Sequence, residues 1–528
     1  MLATRGSQRQ GIARIAQPDV VTELLALNRS ANVAGRMNMR MVRRATLVAL
    51  AALATGARTG RAAPLDDPFV GGLGFNGPTA ANLGSVYWNP AALGLVRGVQ
   101  IMVAGTTRVS TTTVRRTGVD PVTGLPDLSL PPMPTATAHD VTHPLQWPPG
   151  PGAFLAISTD VGGDRFTLGF ATYEPYVEQN HFSVNVAGTE PTRYHRIDAD
   201  LRNLALVPAL SIRFGSDLRI GVAPGFLFST GRLSFAEHQA TGPGTEDPST
   251  DTRYDVDSGQ SIANARFSVT LGGGIYWRRK TLEFGLAYSS RPLGTDVGGI
   301  EVAADKTQVT QPMSKGGGPV TCASGQANRC VFGDIVYQLP DVWIAGLAWH
   351  PRPGLEIAAM ARWIWFHMHD RIDIRLTSPA LQAAGLPDHI TFHRGFKDVW
   401  DTRVRVAYWI RERLRVGAAM RIETSAVSPG DVNASAVDGF KIQPMVMAEL
   451  RLTRGLSLTG GYGFTYMPDV TAHPSNFHPA AAAACSASGD DLRLQSCMDR
   501  QQGLARPTAD GTYGRTEQDF SLSMNVRF

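Results

Sequence analysis

YGRTEQDFSLSMNVRF, residues 513–528, closes the chain, and its second half alternates strictly. Phe520, Leu522, Met524, Val526 and Phe528 fall on one side, with Ser521, Ser523, Asn525 and Arg527 on the other. Successive side chains of a strand point to opposite faces, so this segment reads as a strand with one apolar and one polar face. A helix would need apolar residues three or four positions apart, and the segment has no such spacing.

Working outward, thirteen more stretches have the same character: approximately 98–110, 152–161, 164–173, 199–214, 217–235, 263–277, 281–290, 334–349, 355–368, 398–410, 413–424, 439–452 and 455–467. In DRFTLGF, Phe166, Leu168 and Phe170 alternate with Thr167 and Gly169; TLEFGLAY and TRVRVAY repeat the pattern. The connections between stretches come in two sizes. Those after even-numbered strands are tight, as at Gly162–Gly163, Ser216 and Pro351–Gly354. Those after odd-numbered strands are long: 111–151, 174–198, 236–262, 291–333, 369–397, 425–438 and 468–512. Strict short–long alternation is the pattern of an outer-membrane barrel, with short periplasmic turns and long outer loops. Fourteen strands place both termini on the periplasmic side. Such strands have no core of their own and must close, because lipid offers nothing to an unpaired edge. Trp277, Trp349, Tyr462 and Tyr466 near strand ends suit interfacial girdles.

Composition agrees. The 528 residues are 43% hydrophobic and carry 55 Gly and 34 Pro. A mean hydropathy of −0.09 is too low for a bundle of membrane helices but normal for a barrel whose faces alternate. The formal charge of +5 is small for this length, and no basic patch with interleaved aromatics is present, which argues against nucleic-acid binding.

The N-terminus reads as an address. Met41-Val-Arg-Arg44 is a positive n-region, Ala45–Ala57 an apolar h-region, and Gly60 and Ala62 supply small residues for cleavage, so 41–63 reads as a signal peptide. Residues 1–40 are expected to be an upstream extension, with the start at Met37, Met39 or Met41. In an oxidising compartment, two local disulfides, Cys322–Cys330 and Cys485–Cys497, are expected to pin two loops. Pro208, Pro224 and Pro340 fall inside strand-like runs, and a proline cannot donate to the ladder, so each should mark a bulge or a rim.

The aromatic chain end resembles that of bacterial outer-membrane barrels, whose assembly machinery reads such a residue, here Phe528. Gly84–Leu95, GSVYWNPAALGL, is a small-residue lead-in to an aromatic-Asn-Pro-Ala sequence just before the first strand. It resembles the FadL/TodX family of outer-membrane transport proteins, as do LPDVWIAGLAWHPRPGLEIAAMARW and WDTRVRVAYWIRERLRVGAAMRIETSAVSP. The resemblance implies an all-β membrane protein: a 14-stranded antiparallel transmembrane barrel over 98–528, plugged by an N-terminal hatch over 64–97. It implies a monomer in the outer membrane of a Gram-negative bacterium, passing long-chain fatty acids or similar hydrophobic molecules by passive diffusion, with lateral exit into lipid at a kinked strand. On that basis Phe69, Asn89, Pro90 and Ala91 are candidate hatch contacts, and Pro175, Pro208 and Pro224 candidate kinks. Leu381, Leu386 and Phe392 are candidates for apolar capture in the outer loops. No cofactor, metal or covalent chemistry is expected.

Other patterns have plainer readings. Gly72-Leu-Gly74-Phe-Asn-Gly77 matches a dinucleotide motif but lacks the flanking strand and helix. His367-Met-His369-Asp370 and Asp198-Ala-Asp200 read as polar strand ends rather than metal sites. An adhesive barrel acting through its loops, a lipid hydrolase and an open porin are the alternatives.

Overall fold

A computed structural model describes residues 69–120, 126–142, 153–161, 163, 165–182, 191–237, 252–257, 266–293, 307–310, 330–376, 389–478 and 491–528. Fourteen antiparallel strands form a closed barrel. In chain order they are β1 (Gln100–Arg116), β2 (Phe154–Thr159), β3 (Phe166–His181), β4 (Asp198–Phe214), β5 (Leu218–Glu237), β6 (Arg266–Arg279) and β7 (Leu282–Ser289). They continue with β8 (Val342–Arg352), β9 (Leu355–Ile364), β10 (Val399–Arg411), β11 (Leu414–Glu423), β12 (Lys441–Arg451), β13 (Leu456–Ala472) and β14 (Gly511–Arg527). Each pairs with the next, and β14 pairs with β1 from Gln100↔Arg527 to Arg116↔Gly511, which removes the last free edge. No helix of the described residues is long and apolar enough to cross a membrane.

The alternation in the sequence becomes the two faces of the wall. On β14, Phe520, Leu522 and Met524 are 48%, 63% and 41% exposed, whereas Asp519, Ser521 and Ser523 are buried. Trp277, Trp349, Tyr462 and Tyr466 all face outward. A row not anticipated from sequence crosses the wall near the long-connection end. There Tyr288, Trp343, Trp363 and Trp400 stand in register on four neighbouring strands, the last two stacked at 5.6 Å.

Each of the fourteen sequence-predicted stretches overlaps one barrel strand. The stretch 334–349 needs correction: it is two strands, Cys330–Tyr337 and β8, broken at Gln338–Asp341, so Pro340 lies between strands and not inside one. The stretch 355–368 is also too long, because a 3₁₀ turn at Phe366–His369 follows β9. Beyond the merged Cys330–Tyr337, the long connections hold strands the sequence reading missed: Ala136–Thr142, Thr252–Asp257, Thr307–Thr310, Arg371–Leu376 and His389–His393. Thr252–Asp257, Thr307–Thr310, Cys330–Tyr337, Arg371–Leu376 and His389–His393 pair in that order and continue laterally from the upper part of β5 as a crown at that end of the barrel.

Cys497 is disulfide-bonded. Cys322 and Cys485 lie outside the described residues, as do Leu381 and Leu386.

Candidate functional site

The inner surface of the barrel divides into two unlike halves, with residues 69–97 packed between them. That segment opens with turns, forms one short helix, α1 (Ser85–Trp88), and ends in a 3₁₀ turn at Ala92–Leu95. Pro90 explains where α1 stops. The residue before a proline is pushed out of the helical region, and Asn89 is extended at φ −172°, ψ 102°.

Asn89 is fully buried and uses its whole amide. Its Nδ2 donates to the carbonyls of Pro78 at 2.8 Å and Ile275 of β6 at 3.0 Å, and its Oδ1 accepts from the Ala91 N–H at 3.1 Å. The Ala91 carbonyl accepts from the Ser211 hydroxyl on β4 at 2.8 Å. Two wall glycines make this approach possible. A Cβ on Gly221 would overlap the backbone of Pro90 and Ala91, and one on Gly274 would overlap Asn89 Oδ1. Phe69 is buried with the Arg108 guanidinium 5.2 Å above its ring.

One half of the lumen is ionic. Inward positions of β9–β12 and β14 carry charge between outward apolar residues, as in the Thr402–Tyr408 run of β10, around a smaller apolar patch of Ala407, Ala419, Met445 and Met447 that packs on Phe69, Leu73 and Phe75. Asp401 is wholly buried and accepts from Arg362 Nε at 2.6 Å and Arg421 Nε at 2.9 Å, tying three adjacent strands together. Arg421 in turn pairs with Glu423, and Asp519 accepts from Arg108 and Gln443. Two arginines of β10 reach the central segment: Arg403 and Arg405 both donate to the Asn76 carbonyl, at 2.8 and 2.6 Å. The buried Trp88 ring sits between the guanidinium groups of Arg362 and Arg403 at 5.5 and 5.1 Å. At the short-turn end this half opens into a cavity of about 1290 Å³ whose lining includes Arg405, Arg415, Glu356, Arg451 and Glu449. Its charged walls suit ions and water rather than an apolar solute.

The other half holds the larger apolar surface, with Asn203 and Ser229 set into it and Glu178, Asp200 and Arg202 buried toward the crown. A continuous buried stripe runs along the inner faces of β3, β4 and β5, through Ala171, Tyr173, Ala199, Leu201, Ala205, Val207, Ala209, Ala223, Leu227 and Leu233. It begins at Val86 and Leu93 of the central segment and ends in the crown at Ile372, Ile374, Ile390 and Phe392. Tyr87 meets Tyr173 edge-on at 5.4 Å at its foot. Phe392 lies in a strand, with its ring edge against Phe235 at 4.5 Å and the Arg506 guanidinium 4.0 Å above it. Five of these ten wall residues are alanine.

The three candidate kinks differ in kind. Pro175 lies in a bulge of β3 where the register to β4 shifts between Tyr173 and Tyr176. Pro208 on β4 and Pro224 on β5 stand directly opposite each other, where the β4–β5 ladder lacks its pairs over Val207–Ala209 and Ala223–Gly225.

Near the crown a buried ion cluster replaces the metal ligands that two histidines suggest. Arg394 donates to both oxygens of Glu178 at 2.7 and 2.9 Å, and Arg196 pairs with the same carboxylate at 2.8 Å. Arg394 Nη1 lies 3.0 Å from His369 Nε2, and because arginine can only donate, Nε2 accepts. Nδ1 then carries the proton and donates to the Gln338 carbonyl at 2.6 Å. His367 is exposed and pairs with Asp398, while Asp200 pairs with Arg202. Among the described residues no group of three or more His, Cys, Asp or Glu is arranged to hold a metal ion.

Burial, and then the neighbouring Arg394 charge, push the His369 pKa down to about 3, with Glu178 opposing. A folded pKa below the unfolded value means stability that is present above pH 6.5 and lost as pH falls toward 3. Moving from pH 7.5 to 5 should therefore weaken the crown by about 2 kcal/mol, from 1.5 pH units at about 1.4 kcal/mol each. Hydrogen exchange of amides in 366–376 and 389–394 should accelerate on acidification in the native chain, and much less in His369→Gln. Equal acceleration in both would refute the assignment.

The family model for Outer membrane protein transport protein (OMPP1/FadL/TodX) matches residues 69–442. No curated protein matches the chain in sequence. Among solved structures, a Pseudomonas aeruginosa FadL homologue aligns with a TM-score of 0.63 at 12% identity, covering 89% of this chain and all of its own. The Pseudomonas putida toluene transporter TodX aligns at 0.55 and 12%, covering 87% of this chain and all of its own. The Ralstonia pickettii toluene transporter TbuX aligns at 0.52 and 10%, covering 86% and 98%. At such identities the likeness speaks for the fold.

Proposed function

The chain belongs to the outer membrane protein transport family (OMPP1/FadL/TodX), and from that premise we propose that it admits long-chain fatty acids or similar hydrophobic molecules by passive diffusion. The family's members are outer-membrane transporters of hydrophobic compounds and not enzymes. The observation that carries the reading for this chain is the apolar stripe along β3–β5, set against a half dominated by ion pairs with a smaller apolar patch. An apolar solute leaving water for that stripe gains about 25 cal/mol per Å² buried, enough to draw it in without coupling to energy.

In this reading the chain is a monomer with both termini in the periplasm, so the crown faces outward and Phe392 stands at the entrance. Residues 64–97 act as the hatch, with Asn89-Pro90-Ala91 as the clasp that fixes it to β4–β6. Lateral exit returns cargo to the lipid. The disulfide-pinned loops shield the entrance, and Phe528, at the short-turn end, serves assembly. The family assignment lends no support to the adhesive and hydrolase alternatives.

Uptake measurements on cells with and without the protein test the proposal, using a labelled long-chain fatty acid and, separately, labelled toluene. Protein-dependent entry of either supports it and identifies the cargo class. Entry of neither, with the barrel correctly inserted, overturns it.

A further inference from the structure

We infer that the cavity at the short-turn end is a binding site for a small polyanion, one molecule carrying several phosphate or carboxylate groups. The inference does not depend on what the barrel carries. Two tight hairpins bring arginine to that end, IRERLRV at 410–416 and RLTRG at 451–455. The described residues lining the cavity include eight arginines and four glutamates, which leaves an excess of four positive charges with His350 neutral. A concave wall of one sign gathers field lines and raises the local concentration of counter-ions, so the shape strengthens the effect of the charge.

Most of the carboxylates are already engaged. Glu356 accepts from Arg405 and Arg415, and Glu449 lies 3.7 Å from Arg415 and 3.5 Å from Arg451. Glu283 is met by Arg278 at 3.5 Å and by His350 at 3.3 Å. The rim differs. The guanidinium groups of Arg411, Arg413, Arg454 and Arg527 have no hydrogen-bond or ion-pair partner among the described residues, and all four residues are exposed. Of the lining carboxylates, only Glu412 stands on the same turns.

The backbone fixes where these arginines stand. The Arg451 N–H donates to the Arg413 carbonyl at 2.8 Å, and the Arg527 N–H to the Gly455 carbonyl at 2.7 Å. The ends of β10–β11, β12–β13 and β14 are thereby tied side by side along one rim. Hairpin ends two strands apart lie about 10 Å from each other, at about 4.8 Å per strand. An anion with a single group can meet one such end, whereas a chain of anionic groups can bridge several. Arginine suits the task, because its planar fork matches phosphate and carboxylate oxygens two at a time.

Isothermal titration of the full chain in detergent micelles, with tripolyphosphate and separately with citrate, tests the site. At least one of them should bind about ten times more tightly than inorganic phosphate, because it can engage more than one rim arginine. Which one binds distinguishes phosphate from carboxylate chemistry. Arg411→Gln with Arg454→Gln should weaken that probe at least about tenfold. Arg413→Gln with Arg527→Gln should do the same, so a folding failure of one pair leaves the other to decide. Arg165→Gln with Arg279→Gln removes as much charge from two other turns at the same end, where neither residue lines the cavity, and should change the affinity less than about twofold. Retained heat-modifiable migration checks that each variant is folded. Binding of neither probe more tightly than phosphate, or equal weakening by the control pair, overturns the inference.

Discussion

Asp401→Asn should be the most damaging single change in the lumen, destabilising the folded barrel by about 3–5 kcal/mol. The carboxylate is wholly buried and is the shared acceptor of Arg362 and Arg421, which lie on the strands to either side of its own. An amide cannot balance two guanidinium charges, and its NH₂ would face one of them. The loss would show in urea unfolding of the protein in lipid vesicles, and as a lower temperature for the loss of heat-modifiable migration. Because the three residues act together, Asp401→Asn combined with Arg421→Gln should cost less than the sum of the two single changes. Additive losses, or a loss under about 1 kcal/mol, would show that water or another group already compensates the charge.

Deleting residues 69–92 should convert a tight barrel into a leaky one, raising the permeation of a small hydrophilic sugar at least about tenfold, because fourteen strands enclose more space than their own side chains fill. The deleted segment is almost entirely buried, and its removal also takes away Trp88 and the Asn76 carbonyl that Arg403 and Arg405 hold. A milder version guards against misfolding. Gly274→Val leaves the chain intact but puts a branched side chain where Asn89 Oδ1 sits, so it should displace the clasp and give part of the same leak. Single-channel conductance in planar bilayers reads both variants. If the deletion variant inserts and remains as impermeable as the native protein, the hatch assignment fails, and so does the exclusion of a porin that depends on it.

The barrel was legible in the sequence because lipid imposes a rule that can be read one residue at a time. Phe520, Leu522 and Met524 must face outward, and every strand repeats that demand. The tight turn after β8 was legible in part: Pro353–Gly354 form it, whereas Pro351 and Arg352 still belong to the strand. The crown strands were not. Thr252–Asp257 (TRYDVD) and Arg371–Leu376 (RIDIRL) do alternate, the second strictly, but each is only six residues long and lies inside a connection that reads as a long polar loop. Asn89-Pro90-Ala91 announced a turn, but the glycines that receive it, Gly221 and Gly274, lie 131 residues beyond Pro90 and 185 beyond Asn89 and mean nothing until the wall is assembled. The ionic half had a readable sign in Arg403 and Arg405 alternating with Val404 and Val406. Which carboxylates answer them depends on strand register. Pro208 and Pro224 were visible singly as ladder breakers; that they oppose each other follows only once the β4–β5 register is known.

The unequal halves of the lumen also bear on how such a protein changes its diet. Along β9–β14 a substitution interrupts a circuit of mutual dependence, as Asp401 illustrates, and a lineage that drifts there forfeits its barrel. Along β3–β5 five of the ten stripe residues are alanine, and exchanging one for glycine, serine or valine alters the wall by a methyl group or so while leaving the circuit untouched. Cargo preference can therefore wander in small, individually tolerable steps on one side while the architecture is held constant by the other.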